Sequence, residues 1–155
     1  MLHPTAAKVQ ERLRERGLEV DVRELAESTR TAAEAAAAVG VETGQIVKSL
    51  VFASPAGELV LVLCAGDRRV DTASLGDGWR TGTPGEVRAG TGFAIGGVPP
   101  IGHDAPLRTI VDESLRRYDV VWCAAGTPNA VFSVRTDDLV AAIPAAEVRP
   151  VAVGG

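Results

Sequence analysis

A lysine stands inside an apolar segment, residues 46–52. If this segment is a β-strand, alternation puts Lys48 on one face and its neighbour Ser49 on the other. Both faces are otherwise mainly apolar, so the strand should be largely buried, and a charged amine there costs free energy unless it is paired or reaches a cleft. Lys48 is therefore either a functional cation or a side chain whose long stem carries its amine from an edge strand to solvent.

Residues 90–104 form a second unusual segment, with five glycines and two prolines. Glycines allow the backbone to approach a ligand with its N–H groups, and prolines stiffen the segment, so the composition favours a preorganised anion or oxyanion site. A rigid connection of no chemical role is the alternative. A dinucleotide-binding fingerprint is excluded, because the glycine spacing is one residue too long and Pro99-Pro100 prevents the helix that must follow.

Two further features, the segment 124–129 and His103, are weaker indications of a functional site. Residues 124–129, which include Gly126, follow an apolar strand, where loops often line sites, although a simple turn explains them equally well. His103 could act as a base, bind substrate or lie on the polar surface, and a Cys123–His103 nucleophile pair is conceivable. Two distant histidines and two distant cysteines give no metal-ligand spacing, so neither a metal nor a cofactor is expected.

Composition limits the classes of function. The chain has 155 residues, which fits one domain over 1–155, with a formal net charge of −4 and a pI near 5.2. A non-specific DNA-binding protein needs surplus Lys and Arg, so DNA is not an expected partner and any RNA contact must be local. The two cysteines lie in apolar segments and suit a reducing cytoplasm, and no segment approaches the about 18 apolar residues of a membrane span.

The elements that must position these residues alternate along the chain. The patterns predict helices over 4–16, 31–39, 71–75, 84–89 and 136–142, and a helical turn over 112–117. They predict strands over 18–25, 46–53, 58–65, 107–111, 120–124 and 131–134, and a short strand near Val148. Short strands interleaved with short helices favour an α+β domain with a mixed, barrel-like sheet flanked by short helices.

Several segments, in this order, resemble the YbaK/EbsC family, the free-standing relatives of the editing domain of bacterial prolyl-tRNA synthetases. The segment 31–50, with Gln45-Ile46-Val47-Lys48-Ser49-Leu50, is similar to the family's opening block. Gly66-Asp67-Arg68-Arg69-Val70-Asp71 is similar to its segment after the hairpin, and residues 91–102 to its glycine-rich loop. Residues 111–115 and Asp138-Leu139 are similar to later elements, so the resemblance covers about residues 5–150.

The resemblance implies a single compact domain and a trans-editing aminoacyl-tRNA deacylase. Its substrate would be a mischarged small amino acid such as Cys, Ala or Ser on a tRNA, with tRNA(Pro) favoured, and its partners the aminoacyl-tRNA 3′ end and a prolyl-tRNA synthetase. It implies that Lys48 is the essential lysine and that Gly97 and neighbouring backbone groups hold the ester. The expected substrate-binding residues are Ser49, Gly96, Val98, Pro100, Gly102, His103, Gly126 and Asp138.

Departures from the family pattern affect the choice of amino acid more than the reaction. Val20 and Val22 stand where some relatives have an aromatic residue, Val131 stands near a hydroxyl position, and Pro99 replaces a common serine. Lys48 could act as a cation that anchors the tRNA end or as a neutral base. Two other functions stay open: a non-catalytic module that binds a tRNA end or a synthetase, and a small-molecule esterase or thioesterase that uses Cys123 with His103.

Overall fold

The computed structural model describes residues 1–26 and 31–154 of the chain. Within these ranges the helices are α1 (Pro4–Glu15), α2 (Ala32–Val39), α3 (Pro84–Thr91) and α4 (Thr136–Ala142), and 3₁₀ turns span Thr43–Gln45, Thr72–Leu75 and Glu113–Arg117. The strands are β1 (Arg23–Glu24), β2 (Val47–Ala53), β3 (Leu59–Ala65), β4 (Arg68–Val70), β5 (Arg80–Thr81), β6 (Thr109–Asp112), β7 (Val120–Ala124), β8 (Ala130–Arg135), β9 (Glu147–Arg149) and β10 (Ala152–Gly154).

The strands form three sheets. The largest has the order β5-β2-β3-β6-β9, with antiparallel pairs around β2 and parallel pairs from β3 through β6 to β9. A smaller antiparallel sheet has the order β1-β8-β7, and β10 pairs with β4. One parallel bridge, Ile46 to Trp122, joins the small sheet to the start of β2. The mixed α+β fold is therefore confirmed, although the described strands do not close into a barrel.

Turn and cap chemistry explains where the central hairpin and its neighbours begin and end. Between β2 and β3, the Gly57 N–H donates to the Ser54 carbonyl at 2.9 Å, and the Ser54 hydroxyl accepts the Glu58 N–H at 3.0 Å. Gly57 has φ of 86°, a conformation that glycine adopts at little cost. The Thr31 hydroxyl accepts the Glu34 N–H at 3.1 Å and so begins α2.

The predicted strand over 18–25 is the main local difference. Only Arg23–Glu24 pairs with β8, although Leu18, Val20 and Val22 alternate as buried residues. The Val22 N–H donates to the Gln10 side chain at 2.8 Å instead of to a strand. The segment is therefore extended and packed against α1, but only Arg23 and Glu24 belong to a ladder. The strand near Val148 is confirmed as β9, whereas β10 was not predicted.

The central sheet separates two apolar clusters. The larger cluster packs α1, through Val9 and Leu13, against the face of β2 that carries Val47 and Val51. The smaller cluster lies on the opposite face and is centred on Phe52, Val60, Val62, Ile110 and Val151. Because side chains alternate along β2, Ser49 faces the larger cluster and Lys48 faces the side of the smaller one.

Candidate active site

A cavity of about 260 Å³ lies between β2 and the small sheet, at the edge of β2 that faces away from β3. Its walls come from β2, the N-terminal turn of α2, the glycine-rich loop and the β7–β8 connection. We name it the Lys48 cavity. It is lined by Thr31, Ala32, Ala35, Ile46, Val47, Lys48, Ser49, Leu50, Ile95, Gly96, Val98, Trp122, Cys123, Ala124, Pro128, Ala130 and Val131.

Lys48 is half-buried, and its ammonium donates a hydrogen bond to the Arg68 carbonyl oxygen. Arg68 begins β4, just after the turn that follows β3, and this turn is itself fixed. Asp67 accepts hydrogen bonds from the Arg117 guanidinium at 2.8 and 3.1 Å, which hold the pKa of the Asp67 carboxyl below its ordinary value. A Cβ at Gly66 would overlap the Thr43 carbonyl oxygen, so only glycine fits there. The lysine therefore has a defined partner and is not a freely snorkelling side chain.

Ser49 contributes two groups at the same edge. Its hydroxyl oxygen is buried and, within the described residues, has no hydrogen-bond partner, which is uncommon for a buried polar atom. The Val51 carbonyl on this edge accepts the Gly82 N–H at 2.8 Å, so strand alternation turns the Ser49 N–H and C=O to the same edge. Ladder pairing on this edge is absent between Ile46 and Phe52 in the part of the chain that the structure describes.

The glycine-rich loop reaches the cavity at Gly96 and Val98. The Gly97 N–H donates to the Ala94 carbonyl at 3.0 Å, and the Gly97 carbonyl accepts the Gly126 N–H at 2.8 Å. Gly97 thus uses its own backbone groups to hold the loop. The N–H groups of Gly96 and Val98 have no acceptor among residues 1–26 and 31–154, and both residues line the Lys48 cavity.

The loop then turns away from the Lys48 cavity. Pro100, Gly102 and His103 line a different cavity of about 390 Å³, together with Arg16 and the 105–109 segment. The His103 ring lies 2.7 Å from the Pro99 carbonyl oxygen through Nε2, and burial lowers the pKa of His103 despite this contact. The structure therefore does not bring these three predicted binding residues together with Lys48.

Two other predicted site residues are also apart from Lys48. Asp138 lines a third cavity, beside Val120 and Arg135. Gly126 does not line the Lys48 cavity but supports its loop, and its φ of 98° favours glycine. A Cβ at Gly126 would also lie 2.9 Å from Val9. The binding roles predicted for these residues stay predictions.

Cys123 lies in the wall of the Lys48 cavity, but it is only 2% exposed, and burial raises the pKa of its thiol well above the ordinary value. Burial also raises the pKa of Cys64, which pairs with Lys48 across the β2–β3 ladder, to about 11. Since only the thiolate is an effective nucleophile, neither cysteine is activated. Cys123 and His103 line different cavities, so the geometry does not support the pair considered above.

Sequence reasoning missed Trp122, which is half-buried in the wall of the Lys48 cavity. The Arg23 guanidinium lies 5.4 Å from the centroid of the Trp122 ring, a cation–π distance. The scarcity of aromatic residues was the available signal, because the chain has only two tryptophans and one of them lies in the apolar strand that precedes the turn at 124–129. The contribution of α2 to the wall was also missed.

The described residues contain no group of three or more side chains able to hold a metal ion. They also contain no helix of the length and apolarity needed to cross a bilayer.

Comparisons with known proteins identify the family of the chain. A profile of the aminoacyl-tRNA editing domain matches residues 26–142. The crystal structure of a candidate trans-editing enzyme for prolyl-tRNA synthetase superposes with a TM-score of 0.90 at 48% identity, covering 99% of this chain and 100% of that one.

Sequence relatives extend the comparison. The uncharacterized protein YwhH of Bacillus subtilis (strain 168) is 34% identical over 125 residues, which are 78% of this chain and 80% of that protein. A proline–tRNA ligase of Pelobacter propionicus is 30% identical over 112 residues, which are 69% of this chain but only 18% of the ligase. The profile match spans most of the chain, and it confirms the resemblance stated above. The chain belongs to the aminoacyl-tRNA editing domain family, within which the YbaK proteins fall.

Proposed function

We propose that this chain is a trans-editing aminoacyl-tRNA deacylase, which hydrolyses the ester between a mischarged amino acid and the 3′-terminal ribose of a tRNA. One observation carries the proposal: Lys48, Gly96 and Val98 line one cavity, and the N–H groups of Gly96 and Val98 have no acceptor among the described residues. A cation beside backbone N–H donors is the combination that ester hydrolysis needs when no protein nucleophile is present.

In this mechanism a water oxygen attacks the ester carbonyl carbon. The negative charge that develops on the carbonyl oxygen is stabilised by the N–H groups of Gly96 and Val98, an effect of about 3–4 kcal/mol for one such donor in other enzymes. The bond from carbon to the ribose oxygen then breaks, and the proton lost by water passes to that oxygen, giving a free amino acid and an intact tRNA. Gly97 positions the two amides through its bonds to Ala94 and Gly126.

Lys48 is assigned an electrostatic role. Its ammonium is held by the Arg68 carbonyl oxygen and has two further N–H groups for the ribose or the terminal phosphate. Ser49, whose buried hydroxyl has no partner among the described residues, would donate to or accept from the aminoacyl group. These contacts would hold the ester against the loop, so that the reacting atoms are already oriented for attack when the substrate is bound.

The substrate is a small amino acid such as Cys, Ala or Ser, with tRNA for proline the favoured carrier. The cavity, at about 260 Å³, is small, and its walls include Ala32, Ala35, Ala124 and Ala130. An apolar pocket of this kind rejects a larger side chain better than a smaller one. The link to tRNA(Pro) and to a prolyl-tRNA synthetase as partner is supported by the relatives described above.

The test is a deacylation screen of purified protein against a panel of mischarged tRNAs, with Lys48→Ala and Lys8→Ala in parallel. Lys8 and Lys48 are the only lysines in the chain, so the two variants make the same change at and away from the cavity. Hydrolysis of at least one small aminoacyl ester, lost in Lys48→Ala alone, is expected. Binding without hydrolysis of any tRNA would instead support a non-catalytic module.

A further inference from the structure

Trp122, half-buried in the wall of the Lys48 cavity, is paired with the exposed Arg23. The Arg23 guanidinium lies 5.4 Å from the indole centroid, and within the described residues it makes no hydrogen bond or ion pair with any carboxylate. Trp122 is half-buried, so part of its ring remains accessible. A large aromatic surface beside a cation that has no carboxylate partner among the described residues is suited to a planar, anionic ligand.

Strand register puts this pair on one face of the small sheet. Arg23 and Ala124 are both paired with Val131, so the three side chains share a face. Trp122 lies two residues before Ala124 on β7 and is therefore on the same face.

The bridge between Ile46 and Trp122 joins this face to the central sheet. Lys48 follows Ile46 by two residues and so emerges on the same side of β2. Trp122 and Lys48 both line the one cavity, with the indole at the small-sheet end and the amine at the β4 end. A ligand that spans the cavity would touch both.

The substrate class of the proposed function ends in a nucleoside, whose base has a flat π-face. Stacking of one base on an aromatic side chain contributes about 1–3 kcal/mol in single-stranded nucleic acid complexes and does not depend on the base. Trp122 lines the Lys48 cavity, with the Arg23 guanidinium 5.4 Å from its ring centroid, so the indole provides an aromatic surface for such a base within the cavity. The net charge of −4 makes a local contact of this kind more necessary, since general phosphate attraction is weak.

We propose that Trp122 is the platform on which the terminal adenine of the tRNA stacks, and that Arg23 holds the indole in position for it. This inference rests on the proposed deacylase function, but it concerns recognition of the base and not the hydrolytic step. Trp122 is therefore a binding residue, whereas Lys48 and the loop amides act at the ester.

Binding can be measured without any reaction. In a Trp79→Phe background Trp122 is the only tryptophan, so its fluorescence reports on the Lys48 cavity alone. Adenosine 5′-monophosphate should quench this emission saturably, whereas ribose 5-phosphate, which has no base, should not. Arg23→Ala should weaken the quenching by AMP. Equal effects of the two compounds, or no quenching by either, would overturn the platform.

Kinetics provide a second readout. Trp122→Ala and Trp122→Leu should each raise KM for a mischarged tRNA by about 5- to 150-fold with kcat little changed, while Trp122→Phe should stay within a few-fold of the parent. Trp79→Phe is the matched control and should leave both constants unchanged. Trp122→Ala and Trp122→Leu should also lose activity on an aminoacyl-adenosine ester. They should keep their activity on the methyl ester of the same amino acid, because the methyl ester has no base to stack.

The two proposals fail in different ways. If Lys48→Ala abolishes hydrolysis but Trp122→Ala and Trp122→Phe leave KM unchanged, the platform is wrong and the deacylase remains. If no aminoacyl-tRNA is hydrolysed but AMP still quenches Trp122 and ribose 5-phosphate does not, the deacylase is wrong and the base-binding platform remains.

Discussion

Lys48 donates a hydrogen bond to the carbonyl oxygen of Arg68, twenty residues later in the chain. The contact ties the only lysine of β2 to the start of β4, and the Arg117–Asp67 pair fixes the turn before it. The position of the ammonium therefore depends on the β3–β4 turn as much as on β2. Removal of the Lys48 ammonium should affect the proposed reaction, whereas removal of the Arg117–Asp67 pair should affect the position of the turn that supports the ammonium.

Lys48→Ala should lower kcat/KM for deacylation by at least about 100-fold, because it removes the charge nearest the ester. Lys48→Arg should retain part of the activity if the residue acts as a cation, and none if it acts as a base. The pH–rate profiles of the parent and Lys48→Arg distinguish the two roles. A Lys48→Ala protein as active as Lys8→Ala would contradict the proposed site.

Ser49→Ala should separate binding from stability. The Ser49 hydroxyl has no partner in the described structure, so its removal should leave Tm within about 2 °C while raising KM for the substrate. Thr91→Val is the matched control, since the buried Thr91 hydroxyl donates to Val87 at 2.7 Å and accepts the Phe93 N–H at 3.0 Å. That change should cost about 1–3 kcal/mol of unfolding free energy without a selective effect on KM. A large fall in Tm for Ser49→Ala would show an unrecognised structural bond.

Gly97→Ala should displace the two loop amides. An added Cβ would lie 2.7 Å from the Gly126 carbonyl oxygen, and backbone must then move. We expect kcat to fall at least 10-fold in a folded protein, measured by deacylation alongside circular dichroism. Gly85→Ala in α3 is the control, because no atom lies within 4 Å of its added Cβ and Ala is the better helix former. Unchanged kcat in Gly97→Ala would mean that the loop is not part of the site.

Thiol reagents should leave the native enzyme active at pH 7 to 8. Cys123 is 2% exposed, Cys64 is fully buried, and burial raises the pKa of both thiols, that of Cys64 to about 11. Little thiolate is therefore present. Mass spectrometry should find both cysteines unlabelled by iodoacetamide until the protein is unfolded. Rapid labelling of Cys123 with parallel loss of activity would revive the thiol-based alternative.

Stability should fall in acid through Asp112. Burial of this carboxylate would raise its pKa, but hydrogen bonds from Ser114, Val151 and Ala152 outweigh that effect and the pKa is lowered. A lowered folded pKa gives stabilisation that is complete above the unfolded value of about 3.9 and is lost as pH falls through the folded value. Asp112→Asn should therefore flatten the acid limb of unfolding free energy against pH. The exposed Asp77→Asn should leave this limb unchanged.

Features that depend on the local residue pattern, such as the strand of Lys48 and the glycine-rich loop, could be predicted from the sequence. The short apolar segment around Lys48 predicted its strand, and the glycines and prolines predicted the loop that approaches it. Sequence periodicity does not indicate which residues of a loop line which cavity. The placement of Gly96 and His103 in two different cavities could therefore not be predicted. Trp122 was missed for a similar reason, because its place beside Lys48 arises from a bridge between segments far apart in sequence.

The unpaired stretch of β2 also bears on self-association. Exposed strand edges readily recruit strands from other molecules. Within the described residues the free stretch is short, because Trp122 of β7 bridges to Ile46 and β5 pairs with β2 from Phe52, and residues 46–50 line the Lys48 cavity. A whole strand from a neighbouring molecule cannot align along so brief an interval, whereas a single small group can bond to it. We therefore expect the short interval that the proposed site leaves for a substrate to disfavour edge-to-edge aggregation.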